Sequence, residues 1–252
     1  MNKWQFTIAA LTVFAVAGIL SAADYASGGF TARISRNGQI LDLRYQGQPL
    51  CSSLQIQGSY SLPEGAARYD ARFFQTWDYS GVARITQDGE VMTVTTDSTL
   101  GNSVLKEAAD YTLESVLAPQ KITVRTTVKL KVPLRAHSRI FQTMIVMPPE
   151  LFGRGVKCTG ISAPERFDVI PASYNKDFRL KGNAVAISTP KGILTIDGGK
   201  EAVIEFMDSR MWGGNDFSLM PGAAVKWTPE AVEYPAGTAF VWEFTLGFEP
   251  EE

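Results

Sequence analysis

In TAFVWEFTLGF (238–248), Phe240, Trp242, Phe244, Leu246 and Phe248 fall at every second position. A period of two puts all five on one face of an extended strand. So wide an aromatic row needs another apolar layer over it, and a second sheet is the natural one. KITVRTTVKLKV (121–132) follows the same rule. Ile122, Val124, Val128, Leu130 and Val132 share one side with Thr126, and Lys121, Thr123, Arg125, Thr127, Lys129 and Lys131 take the wet side.

Turn signals separate runs of this kind. Asn37-Gly38 in FTARISRNGQILDLRYQGQPL is the dipeptide that a type I′ hairpin prefers, because both central residues need positive φ. Asp88-Gly89 and Gly198-Gly199 are read as hairpins in the same way, and three such signals favour antiparallel pairing. The best helix candidate is one or two turns near Val104 to Ala109, and MPPELFGRG (147–155) reads as a loop between strands. Strands every dozen residues or so would number on the order of fifteen to nineteen. The fold class expected is therefore all-β, a large antiparallel two-sheet β-sandwich. Aromatics at 11% and hydrophobics at 45% supply the core for it.

The N-terminus sets the compartment. Lys3 precedes an uncharged run from Ile8 to Leu20, which has the length of a secretory h-region and is short for a membrane span. Ser21, Ala22 and Ala23 provide small residues for cleavage before Asp24. Residues 1–23 are thus expected to be a signal peptide and 24–252 a single exported domain, periplasmic or extracellular. The membrane would be touched only through an uncleaved leader. In an oxidising compartment Cys51 and Cys158 have two outcomes open: one disulfide closing a long loop, or two buried thiols.

Charge narrows the partners. The chain carries 24 basic and 26 acidic side chains with no cationic run, which argues against a phosphate-backbone partner. With one histidine and no clustered cysteines, a metal site is not expected. There is no P-loop, GxGxxG, EF-hand loop or GxSxG, so no cofactor is expected.

The layout resembles the galactose-mutarotase-like domains. The opening FTARISRNGQILDLRYQGQPL, with Gly38 and Gln46-Gly47 at its corners, resembles their start, and GTAFVWEFTLGFEP is similar to their closing strand. The resemblance spans most of residues 28 to 249. It implies the supersandwich architecture and the handling of carbohydrate, either as an aldose epimerase or as a sandwich domain of a polysaccharide-active enzyme. The epimerases use a histidine acid, a glutamate base and a second histidine nearby. His137 is the only histidine and lies outside that motif, so the two-histidine site cannot be built.

Candidate residues are weighed on their own chemistry. In SRMWGGNDFSLM (209–220), Trp212 could stack on the apolar face of a sugar ring while Arg210, Asn215 and Asp216 hold hydroxyls or a uronate. The competing reading is a turn whose Trp caps the core. His137 shares an expected strand face with Arg139, a further ligand candidate, and would be a general acid or a hydroxyl partner. Glu205, Asp208, Asp216 and Glu233 are carboxylates near the Trp212 loop, with Glu205 and Asp216 the catalytic candidates beside His137. Trp77, in FFQTWDYSG, is a second stacking candidate, and Tyr174 with Asn175 a loop wall.

The reading that follows is an exported domain that binds oligo- or polysaccharide without catalysis. The alternatives are a carbohydrate-active enzyme (an atypical epimerase, lyase or glycosidase-like protein) and a structural envelope or cell-surface protein. An enzyme calls for a deep pocket joining His137 or a carboxylate to Arg210 or Asp216. A binding domain calls for an exposed Trp212, and a structural protein for a buried one.

Overall fold

The computed structural model describes residues 21–61, 73–75, 81–102, 104–160, 165–225 and 228–251. Two nine-stranded antiparallel sheets face each other. The first runs in the order β1 (Ser21–Ser27), β2 (Phe30–Ser35), β3 (Ile40–Tyr45), β4 (Gln48–Ser59), β11 (Phe141–Met147), β18 (Phe217–Ala223), β17 (Ala202–Asp208) and β14 (Lys181–Gly182), with β5 (Phe73–Gln75) also against β4. The second is β13 (Arg166–Val169), β12 (Gly155–Thr159), β15 (Ala184–Thr189), β16 (Gly192–Asp197), β20 (Ala239–Pro250), β9 (Lys121–Leu130), β8 (Ala109–Leu117), β7 (Val91–Leu100) and β6 (Arg84–Asp88). A two-stranded ribbon, β10 (Leu134–Ala136) with β19 (Val232–Tyr234), completes the twenty strands of the described residues.

The sandwich follows from the alternation. The five apolar residues of β20 and the inward row of β9, Thr126 included, are buried as expected. They meet the inward row of the first sheet. Phe240 packs on Phe141 at 5.8 Å, and Phe248 stacks on Tyr45 at 4.3 Å. Trp242, fully buried, donates from Nε1 to Thr143 Oγ1 across the gap at 3.0 Å. A buried indole N–H needs such a partner. Each of these rings contributes roughly 1.5–3 kcal/mol by leaving water.

The turns differ in detail from the sequence reading. The type I′ geometry belongs to Gln46-Gly47, both at positive φ (46° and 81°), where Tyr45 pairs directly with Gln48. At Asn37-Gly38 only the glycine has positive φ. Gly38 N–H donates to Ser35 O and Ser35 N–H to Gln39 O, so the loop is a three-residue turn with a bulge. Asp88-Gly89 does join a hairpin, β6 to β7. Gly198-Gly199 does not: β16 belongs to the second sheet and β17 to the first, so this turn carries the chain across the sandwich. A tight turn is a local property, and which sheet receives the next strand is not.

No helix forms at Val104 to Ala109. Asn102 Oδ1 accepts from the N–H groups of Val104 and Leu105, a side-chain turn that competes with helix, and Ala109 opens β8. The 147–155 loop is found as expected, with a single 3-10 turn at Pro149–Leu151. Cys51 and Cys158 are both buried and free, on β4 and β12 in different sheets. Cys51 lies against the Leu43 backbone and Cys158 against that of Lys181, so the bridge is not made. Of the leader, residues 1–20 fall outside the described residues. The expected cut before Asp24 lies within β1, and Asp24–Ser27 still pairs with Phe30–Arg33.

Candidate functional site

The central strands of the first sheet break the one-face pattern. Six of the seven residues of β18 are buried, on both faces. Gln55 (6% exposed), Ser218 (2%), Met144 and Met220 are buried although they alternate with the inward row, and neither methionine belongs to the core cluster. Cross-strand register lines up Gln57 with Gln142, Gln55 with Met144, and Glu205 with Met220 on this outer face.

Arg139, 7% exposed and just before β11, ties the face together. Its Nη1 donates to Val203 O at 2.6 Å, and its Nη2 to Met220 O at 2.8 Å and to Glu205 Oε2 at 3.1 Å. Its Nε donates to Gln142 Oε1 at 2.9 Å. Gly222 leaves room for the path. A Cβ there would stand 3.0 Å from Arg139 Cδ and 3.0 Å from Phe141 O, tight enough that the neighbours would have to shift. Gln142 Nε2 continues the row to Gln57 Oε1 at 3.4 Å, and Lys181 Nζ closes the other end on Glu205 Oε1 at 2.8 Å.

The electrostatics of the row are those of a fixed acceptor. Burial alone would raise the Glu205 carboxyl, but Arg139 and Lys181 more than reverse this and hold it below its ordinary value. It stays ionised near neutrality, which removes it as a general acid and weakens it as a base. Burial lowers the Arg139 pKa, and Glu205 opposes that fall. Their charge-assisted hydrogen bond is made in a half-dry setting and fixes the Glu205 carboxylate in place.

The Trp212 loop stands at the end of β17, the strand that carries Glu205. Asp208 caps a 3-10 turn, Ser209–Trp212, accepting from Arg210 N–H at 3.1 Å. Arg210 is not available to a ligand as the sequence suggested. Its guanidinium forks onto Asp208 (2.9 and 2.7 Å), donates to Ala172 O and Pro171 O (2.7 and 2.9 Å), and lies 3.7 Å above the Phe152 ring. Asp216 Oδ1 is likewise engaged within the turn, accepting from Ser209 Oγ. What the clamp presents is Trp212, 55% exposed, with Asn215 exposed beside it. By binding residues 171 and 172, Arg210 also bolts the segment of Tyr174 (47% exposed) to this turn.

Other candidates scatter. His137 is not on a strand with Arg139. A bend separates β10 from β11, and the exposed ring faces Thr228 O at 3.2 Å while His137 O accepts from Thr228 N–H. Glu233 is exposed on β19 opposite Arg135. Glu205, Asp208 and Asp216 each have separate partners: Arg139 and Lys181, Arg210, and Ser209. Trp77 lies outside the described residues. Gln57, Gln142 and Lys181 have roles that the sequence reading missed, and Asp208, read there as a candidate carboxylate, anchors Arg210. The usable sign was a glutamine inside an apolar strand, as in LQIQG and IFQTM.

No protein-family model and no curated sequence matches the chain. Solved structures do. Galactose 1-epimerase from Lactobacillus acidophilus NCFM superposes with a TM-score of 0.61 at 8% identity, covering 90% of this chain and 93% of that one. The fold is galactose-mutarotase-like. A galactose mutarotase-like protein from Lactobacillus casei ATCC 334 gives 0.54 at 12% identity, over 90% and 99% of the two chains. The alpha-galactosidase from Lactobacillus brevis gives 0.50 at 8%, where 90% of this chain matches 39% of the larger protein. The layout resemblance read from the two ends of the sequence therefore holds for the architecture, and at these identities it speaks to the fold alone.

Proposed function

We propose that the protein is an exported carbohydrate-binding domain that performs no catalysis of its own. The observation that carries the reading is the outer face of the first sheet. A row of amides and ions, Gln57–Gln142–Arg139–Glu205–Lys181, runs between buried methionines, with Trp212 exposed at the end of the same strand as Glu205. Amides and a fixed carboxylate suit sugar hydroxyls, which both donate and accept, and an exposed indole suits the C–H face of a pyranose. The fold supports the reading by analogy, since its neighbours include a galactose 1-epimerase and an alpha-galactosidase.

The absence of a catalytic step is argued from the state of Glu205. Proton transfer on a sugar needs a donor and a base whose pKa values are tuned towards working pH. Glu205 is pulled the other way by two cations, and His137 stands apart at a bend. Export rests on the leader and the cleavage residues before Asp24.

The test is an oligo- and polysaccharide binding screen on residues 24–252, with Trp212→Ala and Gln142→Ala in parallel. Saturable binding is expected, lost or weakened about tenfold in each variant while the fold is kept, with no turnover of the bound sugar. Turnover would return the protein to the enzymes. Binding indifferent to both variants would place the site elsewhere. N-terminal sequencing of the exported protein should begin at Asp24.

A further inference from the structure

A concavity lies beside the Lys181 end of the first sheet's outer face, where the edges of the two sheets come together. It is a cleft of about 560 Å³ between β12 and β13 on one side and Phe178–Lys181 on the other. That volume is in the range of small-molecule sites. Its floor is apolar: Val156, Cys158, Phe178 and Leu180 are all buried. On β13, Asp168 and Arg166 stand directly opposite Val156 and Cys158, and so point to the same inner side. Charge replaces core at this edge.

The charges are unevenly matched. Arg166 pairs with Asp168 at 2.5 Å, Glu165 with Lys157 at 2.7 Å, and Lys181 with Glu205 at 2.8 Å. Arg179 differs. Its Nη1 donates to two neutral carbonyls, Lys176 O at 2.6 Å and Phe178 O at 2.8 Å, and it has no carboxylate partner among the described residues. A cleft with an apolar floor and one uncompensated guanidinium at its rim selects for a single negative charge on an apolar body.

We propose that this cleft binds a small organic monocarboxylate with a hydrocarbon or aryl body, seated on Phe178 and Leu180 with its carboxylate on Arg179. This site meets the carbohydrate face at Lys181, which lines the cleft and pairs with Glu205, and the carboxylate is placed on Arg179 instead. A polyhydroxylated sugar would leave hydroxyls unpaired on that floor. A dianion would exceed Arg179, the one cation of the cleft without a carboxylate partner among the described residues.

Cys158 reports on the floor. Octanoate is the probe, 1-octanol its neutral counterpart, and the readout is the rate of Cys158 alkylation by iodoacetamide, mapped by peptide mass spectrometry on the mature chain. Octanoate should slow the reaction saturably, octanol should not at equal concentration, and Arg179→Gln should raise the half-protective concentration about tenfold. Arg179→Lys, which keeps the charge, should recover much of the effect. Cys51, buried in the other sheet, controls for global protection. Equal protection by octanol, indifference to Arg179→Gln, equal slowing at Cys51 or no protection would each overturn the proposal. Protection of Cys158 by the sugar found in the binding screen would also overturn it, while leaving the carbohydrate reading intact. A failed sugar screen would leave this test unaffected.

Discussion

On the outer face of β8 and β9, Asp110, Thr112, Glu114, Lys121, Arg125 and Lys129 stand in water, and the Arg125–Glu243 pair is about half exposed. On the outer face of β4, β11 and β18, the corresponding layer is Gln55, Met144, Ser218 and Met220, all buried, with Arg139 laid across them. Both sheets close over the same aromatic core. The second spends its outer face on solubility, and the first spends its own on a polar network that is partly dry. A strand buried on both faces, on a sheet that needs only one for the core, is what sets the first sheet apart from the second.

The common core sets the scale for breaking that contrast. Trp242→Ala removes the largest fully buried side chain among the described residues and its hydrogen bond to Thr143, and should cost about 4 kcal/mol in denaturant unfolding. A loss under about 1 kcal/mol would mean that the sheets do not pack through it.

Arg139→Ala tests the dry face. It leaves Glu205 with Lys181 alone and strips donors from the Val203 and Met220 carbonyls, for about 3 kcal/mol. A cost as small as that of a surface arginine would erase the difference between the two faces.

The pH dependence sharpens the comparison further. Because the folded Glu205 carboxyl lies below its ordinary value of 4.5, its contribution is fully present above that value and fades as pH falls through the folded pKa. The stability gap between wild type and Glu205→Gln should be flat above about pH 5 and shrink below it. A gap that changes instead between neutral and alkaline pH would assign it to another group.

The smallest effect belongs to the wet face. Arg125→Ala should change stability by no more than about 0.5 kcal/mol, and less in high salt. A larger loss would show that the outer face of the second sheet is also structural.

What could be read from the sequence differs between the sheets for the same reason. β9 and β20 were legible because one face is dry and the other wet, so polarity alternates residue by residue. FSLMPGA, at β18, carried no such sign, because burial on both sides removes the alternation. The turn at Gly198-Gly199 was legible as a turn and misread as a hairpin. The arginines were the hardest. Arg139 and Arg210 were both expected to grip a ligand, and both are taken up by carbonyls and carboxylates: Val203, Glu205 and Met220 for one, Asp208, Pro171 and Ala172 for the other.

The sequence by itself determined the all-β class, the inward rows of β9 and β20, and the galactose-mutarotase-like layout of the two chain ends. The first two are written in the order of polar and apolar residues, because water sorts side chains wherever one face is wet; the third came from the resemblance of those ends to a known family. Only the tertiary structure decided that Glu205 meets Arg139 across 66 residues, that Gly222 opens the path between them, and that Trp212 faces outward on a turn held by Arg210. These depend on which strands become neighbours, and strand order is set by the packing of whole sheets rather than by any local run of residues.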